Sequence, residues 1–289
     1  FIAMVCAIAC TTTETILDFN LVEGSINKLD SAYVIFQEQA YRFPLDAQGK
    51  GTLKMNIKED GFAILVYGKL STNIYLKQGN TLKVIWDKED WRGGKMQVVS
   101  DDGGINEYIR LNIEKSFKKA TECSFTLEED SFMDKVEQTI RELSAGIDST
   151  NFAPEIKDIL KASSKYEVLY WIYKYPRFHN FGKRMSQEEY LAFKRFNEYM
   201  FDKFEAHPEY LCLTAYREYA VNWFYELMQL RCFGEPYILK KEKACQYILE
   251  HVKNAELREY ALAETITPYI KSYGIEGEEN IIECFRINV

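Results

Sequence analysis

No two of the seven cysteines stand in a Cys-x-x-Cys arrangement, and only three histidines occur in 289 residues. The first lack excludes, from this stretch, the paired thiols at a helix start on which thiol–disulfide exchange depends. His179, His207 and His251 are far apart, with no Cys or His partner at ligand spacing, so no metal site is expected. There is no G-x-S-x-G elbow for a serine nucleophile and no glycine-rich phosphate loop, and no cofactor is expected. Positive charge is also short: 36 Lys and Arg against 44 Asp and Glu leave a net charge of −8. Nucleic acid is therefore excluded as an expected partner, because binding it requires clustered cations against phosphate. The one basic cluster, Lys115 to Lys119, reads as a solvated helix terminus. No run of about 20 apolar residues, the length a helix needs to cross a bilayer, occurs.

Hydrophobic residues reach 47% and charged residues 28%, the balance of a folded chain rather than a disordered one. Between Thr15 and about Ser100 the apolar residues come in short runs. They are Ile16–Val22, Ala32–Phe36, Tyr41–Leu45, Leu53–Ile57, Phe62–Tyr67, Ile74–Leu76, Leu82–Trp86 and Met96–Val99. Turn residues separate them, and Asp60-Gly61 reads as a hairpin turn because glycine reaches positive φ at little cost. Gaps long enough for crossover helices are missing, so an antiparallel sandwich is expected.

After Asp101-Asp102-Gly103-Gly104 the period changes. Ile105, Ile109, Ile113 and Phe117 recur every four residues, as one face of a helix does. Further helices are expected from about Glu128 and from Pro154, the latter stopping before Pro176. Ser186 and Glu189 form a capping-box pattern that opens a helix through Phe193 and Met200. Another is expected from Pro208 to about Gln229, and a last one from about Ala255 to Tyr273, kinked or broken at Pro268. The expected fold class is α+β, an N-terminal antiparallel β-sandwich followed by an all-helical region. Its expected divisions are a leader remnant at 1–10, the sandwich at 11–103 and the helical region at 104–289.

The first residues, Phe1 to Cys10, form an apolar run ending in Ala9-Cys10, after which polarity rises at once. This resembles the end of a bacterial lipoprotein signal, and with no Met at position 1 a start further upstream is expected. Cys10 would then be the acylated first residue, several acyl chains giving the stable anchoring that one chain does not. The expected location is the cell envelope, lipid-anchored and facing the periplasm. Cys123, Cys212, Cys232, Cys245 and Cys284 remain, with a disulfide among the helical ones left open.

The most unusual stretch runs from Tyr166 to Phe181. Tyr170, Trp171, Tyr173 and Tyr175 cover both faces of a helix end, with Arg177 and His179 beyond them. Two readings stay open: a helix packed on all sides, or an aromatic platform of Tyr170, Trp171, Tyr175, Arg177 and His179 that holds a sugar or a peptide.

Several landmarks carry a family resemblance. They are Asp60-Gly61-Phe62, the run Ile74-Tyr75-Leu76-Lys77-Gln78-Gly79-Asn80-Thr81-Leu82, and Gly104-Ile105-Asn106-Glu107-Tyr108. Tyr175-Pro176 and Pro208-Glu209-Tyr210-Leu211 followed by Tyr216 complete the set. The chain resembles the N-terminal half of envelope lipoproteins of Bacteroidetes type that carry a C-terminal thioredoxin-like domain related to membrane-anchored thiol:disulfide reductases. The resemblance implies a non-catalytic region that positions a redox domain or binds its protein or peptide clients. None of the matched positions is catalytic in that family, so no catalytic residue is carried over, and enzyme activity would depend on a domain following Val289. A free-standing envelope lipoprotein that binds glycans or peptides is the alternative.

Overall fold

Eight strands precede eight helices in the computed structural model, which describes residues 14–22, 29–37, 39–87, 96–180, 185–202 and 204–273. Cys10, the expected anchor position, lies outside the described residues. The chain divides at Glu114/Lys115 into two compact units.

The first unit is a sandwich of two four-stranded sheets. One sheet has the order β4 (Lys50–Met55), β1 (Thr15–Leu21), β7 (Thr81–Trp86), β8 (Gln97–Val99). The other runs β3 (Gln39–Pro44), β2 (Ser31–Phe36), β5 (Gly61–Tyr67), β6 (Leu70–Leu76). In β1, Leu17, Phe19 and Leu21 are buried and alternate with half-buried Ile16, Asp18 and Asn20, which puts one face inside and one outside. Phe19 lies at the centre of the core, with the rings of Phe43, Tyr67 and Trp86 at centroid distances of 6.1, 6.1 and 6.3 Å.

Two pairings depart from the sequence-based expectation. Asp60-Gly61 does not close a hairpin: β4 pairs with β1 while β5 pairs with β2 and β6, so this turn carries the chain from one sheet to the other. β1 and β7 are parallel, the remaining pairs being antiparallel among the described residues. Gly51 shows what close packing demands, since a Cβ there would lie 2.5 Å from the Pro44 carbonyl oxygen and 2.7 Å from Leu45.

Three of the landmark stretches meet at the edge strand β6. The Asn106 side chain accepts a hydrogen bond from the Tyr75 N–H at 2.8 Å and donates to the Tyr75 carbonyl at 2.7 Å, as a neighbouring strand would. Asp102 holds the helix that presents Asn106: its carboxylate accepts from the N–H groups of Gly104 and Ile105 at 2.9 and 3.0 Å. Gly103 and Gly104 have φ of 74° and 85°, a conformation that other residues reach only with strain. From the first landmark, Asp60 accepts from the Gln78 N–H at 2.7 Å.

The second unit is helical. Its elements are the end of α1 (Ile105–Thr121), α2 (Glu129–Asp148), α3 (Pro154–His179), α4 (Gln187–Leu191), α5 (Lys194–Asp202), α6 (Thr214–Arg231), α7 (Tyr237–His251) and α8 (Ala255–Tyr273). α3 and α6 are apolar on several sides and form the centre, packed on each other, with α2 against α3 and α7 and α8 against α6.

Pro176 does not end α3, and Pro268 does not break α8, which spans the expected Ala255–Tyr273. α3 runs through Pro176 to His179; the proline sits near the helix end, so only the carbonyl of Ile172 loses its partner. α8 runs through Pro268, which lies on the exposed face with Glu264, where water can take the freed carbonyl. The Ser186 capping box is present, with Glu189 N–H bonded to Ser186 Oγ at 3.2 Å and Ser186 N–H to Glu189 Oε2 at 2.7 Å. Its helix stops at Leu191, however, because the Asn197 side chain takes the Leu191 carbonyl at 3.1 Å and a new helix starts at Lys194. Pro208 opens only a single 3-10 turn; a further turn, closed by Leu213 N–H on the Tyr210 carbonyl at 2.9 Å, buries Leu211 and Leu213 before α6 begins. α7 has no counterpart among the sequence-based expectations.

Candidate functional site

The aromatic stretch at the end of α3 serves three different ends. Tyr175 is 0% exposed, its ring stacked on Phe132 at 4.2 Å and its hydroxyl donating to the Leu127 carbonyl at 2.7 Å. Burial pushes its phenol well above the usual range. One turn on, His179 Nδ1 lies 2.8 Å from the Phe125 carbonyl, and its ring packs against Tyr175 and Phe193 at 4.9 and 5.8 Å. Tyr175 and His179 thus clamp the loop between α1 and α2 by two of its carbonyls. Packing accounts for both, and Tyr175 offers no surface for a ligand.

Tyr170 and Trp171 are half-buried and share one cation: Lys174 Nζ lies 4.1 Å from the Tyr170 ring centre and 5.2 Å from that of Trp171. Phe125 stands 5.5 Å from Trp171 and stacks on Phe178, itself 40% exposed, at 5.2 Å. The expected platform therefore shrinks to Tyr170, Trp171 and Lys174, extended by Phe125 and Phe178.

Arg177 points to a separate cluster that sequence reasoning missed. Its side chain, 62% exposed, reaches Glu226 Oε1 on α6 at 3.7 Å. Glu226 is 6% exposed and accepts a hydrogen bond at Oε2 from the Tyr190 hydroxyl, 3.1 Å away on α4. Burial raises its carboxyl to about 7, although Arg177, Tyr190 and Lys240 pull the other way. Tyr190, facing this carboxylate in a buried setting, is pushed well above the usual phenol range by burial and by the Glu226 charge. The cluster can hold a proton near neutral pH. With 44 acidic residues in the chain, no sequence signal distinguishes Glu226 from the rest.

Beyond this, six tyrosines gather between α3, α5 and α6. Tyr166 has Tyr216 and Tyr219 within 4.7 and 4.8 Å, and the hydroxyls of Tyr199 and Tyr219 are 2.7 Å apart. The Tyr173 hydroxyl donates to the Tyr219 carbonyl at 3.2 Å, and the Tyr216 hydroxyl accepts from the His207 N–H at 2.7 Å. Tyr210, one of the landmarks, completes the cluster at 5.9 Å from Tyr166. The hydroxyls of Tyr173, Tyr199, Tyr216 and Tyr219 each bond a neighbour inside the bundle, and Tyr166 and Tyr210 pack by their rings, which is a packing role.

None of the four described cysteines, Cys123, Cys212, Cys232 and Cys245, is in a disulfide, and all but Cys212 are buried. Cys123 Sγ lies 3.8 Å from both the Lys119 carbonyl and Thr139 Oγ1, and burial raises its thiol above the ordinary value. Burial pushes the Cys212 thiol to about 11. Both shifts disfavour the thiolate. Among the described residues no group of three His, Cys, Asp or Glu is placed to hold a metal ion, and no helix is long and apolar enough to cross a membrane. Compared with protein families, curated proteins and solved structures, the chain finds no match.

Proposed function

We propose that this chain is the non-catalytic N-terminal region of a lipid-anchored envelope protein of the thioredoxin-like thiol:disulfide oxidoreductase family. In this role it positions a redox domain or binds that domain's clients. The observation that carries the reading is the state of the described thiols: none is in a disulfide, and burial pushes Cys123 and Cys212 away from the thiolate. The sequence landmarks that suggested the family add support, because Asp60, Tyr75 and Asn106 are spent on holding the sandwich together. Anchoring rests on Ala9-Cys10 and on nothing in the fold. In cells that process lipoproteins, radiolabelled palmitate is expected in the wild-type chain and lost in Cys10→Ser; no incorporation into the wild type would remove the anchor from the reading.

A second reading, a free-standing binding lipoprotein, is favoured by one observation: the half-open row of Tyr170, Trp171, Lys174 and Phe178. Tryptophan fluorescence tests it. Titration with candidate peptides and glycans should shift the Trp171 signal, and Trp171→Phe should abolish the shift.

A further inference from the structure

We propose that the outer face of the β4–β1–β7–β8 sheet carries a binding trough for an acidic sugar, one that bears both carboxylate and hydroxyl groups. The trough comes from side-chain length. On the outward face the central strand β1 presents the short Asp18 and Asn20, while its neighbours present Lys50 and Thr52 on one side and Lys83 and Ile85 on the other. The register fixes the layout. Thr52, Asp18 and Lys83 form one cross-strand row, and Lys50, Asn20 and Ile85 form the next. The two banks are two strand spacings apart, about 10 Å, wide enough for a pyranose ring between them. The lysines sit on opposite banks, offset by one outward-facing position, about 7 Å along the strand. The trough is open to solvent along its outer side and has a volume of about 330 Å³, at the lower end of small-molecule sites.

The charges select the ligand. In a chain of net charge −8, this face sets two lysines against one aspartate. Among the described residues, the side chains of Lys83 and Asn20 make no hydrogen bond or ion pair; Lys50 makes none either, although the neighbouring Asp46 carboxylate feels its charge, so all three can turn to a ligand. Asp18 accepts one hydrogen bond, from Thr52 Oγ1 at 2.9 Å, and keeps further acceptor positions. A bare anion such as sulfate would satisfy the lysines but bring no donor to Asp18 and be repelled by it. A neutral sugar would satisfy Asp18 and Asn20 but leave the Lys83 ammonium unanswered and that of Lys50 with only the nearby Asp46. A sugar acid meets both demands: its carboxylates reach Lys50 and Lys83, its hydroxyls reach Asp18, Asn20 and Thr52, and the C–H face of its ring can rest on Ile85.

This site lies in the sandwich unit and is independent of the role proposed above. Titration calorimetry on the full chain tests it, with digalacturonate as the probe and lactose and sulfate as controls. Digalacturonate is expected to bind about tenfold or more tightly than either control, and Lys50→Ala and Lys83→Ala, both at exposed positions, are each expected to weaken it by about tenfold. The proposal is overturned if digalacturonate gives no saturable heat at millimolar concentration. It is equally overturned if lactose or sulfate binds as tightly, or if both lysine variants bind as the wild type does.

Discussion

Glu226 is the residue whose environment most changes its chemistry. Its carboxyl has an ordinary value of 4.5 in the unfolded chain and about 7 when folded. Between those two values the folded state holds a proton that the unfolded state has released, so stability must fall as pH rises through this window. The relative stabilisation is fully present below about 4.5 and lost above about 7, with a ceiling of about 3 kcal/mol. Arg177 is too exposed to restore much of it, because water screens an ion pair at that position. Glu226→Gln keeps an oxygen for the Tyr190 hydroxyl and removes the charge. Urea unfolding of both proteins at about pH 5 and about pH 8 should give a steeper loss for the wild type than for the variant. Equal slopes would mean that Glu226 does not hold its proton in the fold. A second residue-scale expectation concerns Tyr175: replacing it with phenylalanine keeps the stack on Phe132 but leaves the Leu127 carbonyl unpaired, at a cost of about 1 kcal/mol in the same assay.

Single elements show where local rules held and where they did not. The alternation in β1 and the four-residue spacing in α1 were legible because a strand and a surface helix each repeat a burial pattern in sequence. Pairing partners were not legible. Asp60-Gly61 has the local chemistry of a hairpin, yet which sheet β5 joins depends on the partners its apolar run finds across the core. α7 escaped notice because Lys240 to Lys243 interrupts its apolar stripe, and its buried residues include Lys241, whose ammonium sits 5.0 and 5.4 Å from the Tyr225 and Tyr237 rings. Of the candidate site, the aromatic segment was legible from composition. The division of labour within it was not, since Tyr175 and Arg177 are two residues apart and serve different clusters.

Asn106 argues most directly for side chains as structural elements, because it completes an edge strand with an amide. Asn106→Ala would leave the buried Tyr75 N–H and carbonyl without those bonds, and a loss of about 3 kcal/mol is expected from denaturant unfolding. Gly51 makes the complementary point. Gly51→Ala forces a methyl group against the Pro44 backbone and should cost about 2 kcal/mol, with hydrogen exchange rising in β3 and β4 before other strands.

At the scale of the whole molecule, the question is whether the polypeptide can itself exchange disulfides. Such exchange needs a thiolate with a second sulfur close enough to release the mixed disulfide. A thiol pushed to about 11, as Cys212 is, holds only on the order of one part in ten thousand as thiolate at neutral pH. An ordinary thiol near 8.5 holds about 3%, so Cys212 should be alkylated about three hundredfold more slowly than a free cysteine. Cys123, Cys232 and Cys245 are buried and should react more slowly still. Iodoacetamide labelling of the folded chain, read by peptide mass at each cysteine, measures all four rates. Labelling of any one at or above the free-thiol rate would mean that its surroundings activate it, and the division between a supporting region and a separate catalyst would lose its basis. Unfolding in urea should bring the four rates together, because the protection comes from burial and not from sequence neighbours.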